Sequence, residues 1–163
     1  MTNCKQIPLP KIDNQDVKKI TSFFSMGNHL FSERYGHHAW KSFDIITKGN
    51  VSPMINHFPS ILKWLTICNK HTALKKVDHL YISILMPRNV DQTQTDIYAN
   101  SIITSISTDN SFIEFENDKQ YRYKEGYSYL IKSGVKHRIM NLNDKHRITL
   151  CSTPKENPYA EMA

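Results

Sequence analysis

From residue 78 onward the sequence breaks into short runs of β-branched and aromatic residues, each closed after a few positions by Gly, Asn, Asp or Ser. Runs that short cannot build helices of useful length, so they read as strands at 79–86, 97–107, 111–116, 120–123, 127–132, 136–141 and 147–152. Turns are expected at Asp109-Asn110, Asn117-Asp118, Glu125-Gly126, Ser133-Gly134 and Asn143-Asp144. The earlier part has a different rhythm. Val17, Ile20 and Phe24 recur at helical spacing after Asp16, read as a cap, and Ile61, Leu62, Trp64, Leu65 and Cys68 do so after Pro59. Between these helices WKSFDIIT, residues 40–47, reads as an eighth strand, and His37-His38 as a loop leading into it. Many short strands with helices gathered on the N-terminal side predict a mainly β chain, a β-sandwich or jelly roll with a helical buttress. One domain is expected over 1–163, with 1–76 as support, 77–155 as the β core and 156–163 as a tail.

A length of 163 residues, 39% hydrophobic and 22% charged, is enough for one core and excludes disordered and collagen-like classes. The longest apolar stretches, 61–68 and 80–86, fall far short of the roughly 18–20 residues a membrane span needs. The first residues lack the apolar run of a secretion signal, and three widely spaced cysteines (Cys4, Cys68, Cys151) make neither a disulfide framework nor a zinc motif. A reduced, cytoplasmic setting is the expectation. The net charge of +6 keeps nucleic acid among the partners to weigh, along with the tyrosines at 121, 123, 127 and 129, which read as exposed. Alternating Tyr is also ordinary sheet composition, so that reading ranks last, and a small molecule or peptide ranks first.

No phosphate loop, dinucleotide fingerprint, nucleophile elbow or His-Glu-x-x-His is present. What remains is a set of polar residues in the β-rich half: Gln94-Thr95-Asp96, His137, and Arg147 ten residues after that histidine. A non-haem iron site needs few protein ligands, typically two imidazoles and a carboxylate on one face, and Asp96 and His137 could supply two of the three. Each residue has an ordinary structural reading as well: a polar loop at 94–96, a hydrogen-bonded histidine, a surface arginine beside Lys145 and His146. If His137 faces the interior, strand alternation takes Ile139 and Asn141 with it. Arg147 then shares a face with Thr149 and Cys151, while Ile148 and Leu150 point the other way.

The stretch 85–153 resembles the catalytic core of the iron(II)- and 2-oxoglutarate-dependent oxygenases, most closely the aspartyl/asparaginyl β-hydroxylase-like and proline hydroxylase-like branch. The residues carrying the resemblance are Pro87 with Gln94-Thr95-Asp96 seven positions later, Glu125-Gly126-Tyr127-Ser128-Tyr129-Leu130, then His137, Asn141 and Arg147-Ile148-Thr149-Leu150. The resemblance implies a double-stranded β-helix of the cupin type, with His137 as distal iron ligand and Arg147 on the far carboxylate of 2-oxoglutarate. It implies iron(II) and 2-oxoglutarate as cofactor and co-substrate, and hydroxylation of an amino-acid side chain or a free amino acid. The sequence departs from the branch at the first ligand, where Gln94 stands in place of His, and no histidine in the chain is followed two residues later by Asp or Glu. A Gln amide offers iron(II) only a neutral carbonyl oxygen. Asp96 and His137 then form a two-ligand site, with Gln94 as third ligand or as bystander. The alternative is a catalytically degenerate jelly roll that binds a small carboxylate or a protein partner.

Overall fold

The computed structural model describes residues 4–26, 31–34, 37–70, 76–90, 101–107, 111–116, 120–122, 124–132, 134 and 136–154. In chain order these form β1 (Cys4–Ile7), α1 (Asn14–Met26), β2 (Ser32–Arg34), β3 (His37–Thr47), β4 (Asn50–Val51), a 3-10 turn (Pro53–His57), α2 (Pro59–Lys70) and β5 (Val77–Leu85). There follow β6 (Asn89–Val90), β7 (Ser101–Ser107), β8 (Ser111–Phe115), β9 (Gln120–Arg122), β10 (Ser128–Ile131), β11 (His137–Asn141) and β12 (Arg147–Pro154).

Two antiparallel sheets face one another. The larger runs β1-β10-β7-β12-β5-β3-β2 with β4 beside β3, and the smaller runs β6-β11-β8-β9. The chain repeatedly changes sheet, β10 to β11 to β12 being the clearest case, and the result is the expected jelly roll. Strand alternation explains the layering. On the larger sheet Leu80, Ile82, Ile84, Ile148 and Leu150 turn outward and bury against Ile20 of α1 and Ile61, Trp64 and Cys68 of α2. The intervening residues turn inward, where Tyr81, Leu85, Ile103 and Cys151 meet Ile113, Phe115 and Ile139 of the smaller sheet. With both faces covered, β5 is buried from Leu80 to Leu85, which is why its sequence is nearly continuously apolar. The buried Trp64 indole N–H donates to Thr104 Oγ1 at 3.1 Å, and Thr104 Oγ1 lies 2.7 Å from Ser128 Oγ, so these three polar groups of the layer satisfy one another.

The structure revises several expectations. Asp16 does not cap α1: it sits in the first turn, buried, and its Oδ2 accepts from the backbone N–H of Ser60 at 2.8 Å and from the Ser60 hydroxyl. Asp13 takes the capping role, its Oδ1 accepting from Gln15 N at 3.0 Å. His37 and His38 lie within β3 rather than in a loop before it. The strands β1, β2, β4 and β6, of two to four residues each, were too short to show a pattern; the first three lie before residue 76, so that segment contributes to the larger sheet as well as buttressing it. Between β3 and β4 the two-residue turn places Lys48 and Gly49 at φ of 49° and 78°, the primed-turn geometry that matches the twist of a hairpin. No helix among the described residues is long and apolar enough to cross a membrane.

Asp16 joins the two helices through the N-terminus of α2. Asp16→Ala should therefore cost about 1–3 kcal/mol in urea unfolding, because it removes a buried carboxylate and leaves the part-buried Ser60 N–H without its acceptor. Asp144→Ala, which breaks only an exposed pair with Arg88, should cost well under about 1 kcal/mol. Equal losses would show that Asp16 is no more than a surface contact.

Candidate functional site

His137 opens β11 and Arg147 opens β12, so the two residues come from opposite sheets, and both are only 2% exposed. The alternation expected along each strand is observed. Ile139 and Asn141 are buried on the His137 side of β11, and Arg147 Nη1 donates to Thr149 Oγ1 at 3.5 Å, which in turn lies 3.4 Å from Cys151 Sγ. Ile148 and Leu150 join the layer beneath the helices. Arg147 is thus an interior residue and not a surface charge.

A pocket between the sheets is lined by His137, Ile139, Cys151, Trp40, Tyr81 and Ser83, among others. Arg147 lies beyond it along β12, connected to its wall through Thr149 and Cys151. Asn141 fixes the far end. Its amide nitrogen lies 3.1 Å from the carbonyls of Leu85 and Met86 and 2.9 Å from that of Lys145, and its Oδ1 accepts from Asn143 N at 3.1 Å. One side chain therefore ties β11 to the end of β5 and to the turn that leads into β12. Gly126, at φ of 84°, ends the turn before β10, and the Lys11 stem occupies the space its Cβ would need, 2.9 Å away.

The proposed first ligands, Gln94 and Asp96, lie outside the described residues. Among the described residues no three His, Cys, Asp or Glu side chains gather to hold a metal, and two of that donor set, His137 and Cys151, stand on the pocket wall. Of the tyrosines read as exposed, Tyr121 and Tyr127 are so, Tyr123 lies outside the described residues, and Tyr129 is a correction. Tyr129 is buried between the sheets, its hydroxyl accepting from Lys124 N at 2.9 Å, because the inward face of β10 falls on its odd-numbered residues.

A family profile described as aspartyl/asparaginyl β-hydroxylase matches residues 10–154. The chain belongs to that family. The match begins before α1 and takes in β3 and the helices, so the family's domain includes the N-terminal support as well as the β core. Among solved structures, an oxidoreductase of the 2OG-Fe(II) oxygenase family from Burkholderia pseudomallei superposes with a TM-score of 0.61 at 10% identity, over 92% of this chain and 84% of that one. The plu4264 protein from Photorhabdus luminescens gives 0.53 at 10% identity, over 84% and 88%. A DMSP lyase gives 0.55 at 9% identity, over 88% of this chain and 66% of its own. At such identities these show a shared fold. Among curated proteins, none matches in sequence.

Trp40, Tyr81, Ser83 and Arg34 were not among the residues singled out from the sequence, although all stand at or beside the pocket. Trp40 could have been found by alternation: if Phe43 of WKSFDIIT faces the helices, Trp40 and Ser42 face inward. Arg34 had no such signal, since β2 is three residues long.

All three cysteines are free and buried. Burial pushes the Cys68 thiol from an ordinary 9.0 up to about 11, and Cys4 to about 12 despite a backbone hydrogen bond from Lys5. Cys151 is also raised by burial, with Thr149, the charges of Arg147 and Arg34, and Tyr81 pulling the other way. A neutral thiol favours the folded state, so this contribution is complete below pH 9 and is lost as pH climbs from 9 through 11 for Cys68 and 12 for Cys4. Stability measured against pH should decline over that window, and the decline should be shallower in Cys68→Ala. Identical slopes would show that Cys68 ionises equally in both states.

Proposed function

We propose that this chain is an iron(II)- and 2-oxoglutarate-dependent hydroxylase of an amino-acid side chain or free amino acid, working in the cytoplasm, where its three free thiols stay reduced. The observation that carries the reading is the placement of His137 and Arg147: both buried, on opposite sheets, facing one interior in a member of this family. The solved oxygenase of similar fold supports it.

The residues present fit the co-substrate at one end. A buried guanidinium flanked by a hydroxyl is suited to the terminal carboxylate of 2-oxoglutarate, which its planar fork can hold through two parallel hydrogen bonds. At the other end His137 supplies one imidazole for iron(II), and Asp96 and Gln94 are the candidates for the remaining ligands. Bound together, iron(II) and 2-oxoglutarate supply oxygen activation coupled to succinate formation, and hence the power to convert C–H into C–OH. The protein's part is positioning. Arg147 sets the axis of the dicarboxylate, Asn141 holds the strand ends that carry Arg147, and Ile103, Ile139 and Trp40 line an interior from which bulk water is displaced.

The second reading is a binding module, favoured by Gln94 if it stands at the position where the resemblance implies a ligand histidine. Anaerobic titration with iron(II) and 2-oxoglutarate, followed by a succinate assay, separates the two. Succinate from the natural sequence, lost on His137→Ala and on Asp96→Ala, is the expected result. Succinate only after Gln94→His would identify the binding module, and none even then would end the oxygenase reading. In the same titration Arg147→Ala should weaken 2-oxoglutarate by about 1.5–3 kcal/mol, the scale of a charged hydrogen bond, and Arg147→Lys should restore part of it.

A further inference from the structure

Two aromatic rings stand in water on one flank of the sandwich, and neither lines the pocket: Tyr121 is 38% exposed and Tyr127 39%, the two aromatics among the exposed large hydrophobic side chains of the described residues. On that flank β9 is the last strand of the smaller sheet, and β1 and β10 are the last two of the larger. Tyr121 belongs to β9, and its ring meets that of buried Tyr129 on β10 edge-to-face, with centroids 5.8 Å apart. Tyr127 closes the turn before β10. Its backbone N–H donates to Lys124 O at 3.1 Å, while Lys124 N–H donates to the Tyr129 hydroxyl at 2.9 Å. Burial raises the pKa of that hydroxyl, and Tyr121, Cys4 and Tyr127 add to the rise, which puts both exposed rings beside one buried group.

Cations frame these rings. The Lys11 ammonium lies over the Tyr127 ring, 5.5 Å from its centre, with the stem of the side chain packed on Gly126. Lys5 on β1, Arg122 on β9 and Lys124 in the turn are exposed, and the acidic side chain among these described segments is Glu125, so four cations face one carboxylate. Such a flank favours an anion, and the net charge of +6 acts in the same direction from a distance. The rings decide which anion. An acidic peptide would answer the cations and leave two flat aromatic faces in water, whereas a nucleic-acid duplex keeps its own base faces stacked inside. A single strand answers both, its phosphates against the ammonium groups and its unstacked bases against the tyrosines.

We propose that the flank formed by β1, β9 and the turn at 124–127 is a docking surface for single-stranded nucleic acid, with Tyr121 and Tyr127 as stacking platforms and Lys11 and Lys124 on the phosphates. The surface is separate from the interior that holds His137 and Arg147, so it stands or falls independently of the hydroxylase reading. Stacking and charge tolerate every base, so little sequence preference is expected.

The test uses the full chain and fluorescence anisotropy with three labelled probes: an oligothymidylate of about 12 nucleotides, an abasic oligomer of the same length, and poly-L-glutamate of matching charge. The abasic probe keeps the phosphates without the bases, and poly-L-glutamate stands for an acidic peptide. At about 50 mM salt the wild type should bind oligothymidylate at least about 10-fold more tightly than either of the others. Tyr127→Ala should weaken oligothymidylate by about 5- to 150-fold, the scale of one stacked base, and leave the abasic probe unchanged, while Tyr127→Phe should behave as the wild type. Lys124→Gln should weaken both oligomers and make the slope of log K against log salt shallower by about 0.7, the share of one phosphate contact on a single strand. Melting temperature checks that each variant is folded, and if Tyr127→Ala is not, the wild-type ratio of thymidylate to abasic affinity decides together with Lys124→Gln. No binding of oligothymidylate, equal affinity for the abasic probe, or full affinity in Tyr127→Ala would overturn the proposal, and poly-L-glutamate bound as tightly as oligothymidylate would overturn it in favour of an acidic peptide.

Discussion

The alternation of β12 is the constraint on which the rest of the molecule depends. Its even-numbered residues Ile148 and Leu150 must be dry against the helices, and a slip of one residue would place them between the sheets and turn Arg147 into the apolar helix layer. The cost of burying that guanidinium among isoleucines makes the register nearly obligatory. Neighbours on both sides reinforce it, since β5 and β7 each pair with β12 along most of its length.

The two faces of that strand do different physical work. Toward the helices, burial of Trp64, Ile61 and Ile20 supplies the hydrophobic stabilisation that a chain of this size needs. Toward the smaller sheet the interior is mixed, with His137, Asn141, Arg147 and a line of hydroxyls interrupting the apolar contacts. Polar groups in such a place each need a partner, and many of those found are other side chains: Trp40 with Ser83, Arg147 with Thr149, Arg34 with Ser42. Stability resides in one layer and specificity in the other.

Much of this was legible in the sequence, for identifiable reasons. The strands of the second half were readable because each is bounded by turn residues, and with His137 taken as interior the sets His137, Ile139, Asn141 and Arg147, Thr149, Cys151 followed from period two. The helices showed through their 3.6-residue rhythm. The short strands β1, β2, β4 and β6 carry no periodicity, being held by pairing with longer partners, and with β2 went Arg34. Asp16 misled because an acidic residue ahead of an apolar run looks like a cap, whereas its acceptors' worth is spent on a second helix forty-four residues away. The hydroxyl line is invisible in one dimension: Ser42, Ser83, Ser105 and Thr149 become neighbours only once the strand order is known.

Asn141 has a mechanical consequence. By satisfying carbonyls on the ends of β5 and of the turn into β12, it welds the two sheets together at the end of the sandwich where Arg147 lies. Prising the sheets apart there would strand several backbone acceptors at once, so that end behaves as the closed heel of a wedge. On the hydroxylase reading proposed above, a dicarboxylate held by Arg147 has one end at this heel and the other toward the pocket that His137 and Cys151 line. On that reading the heel gives a nearly symmetric ligand its polarity before its other end makes any contact.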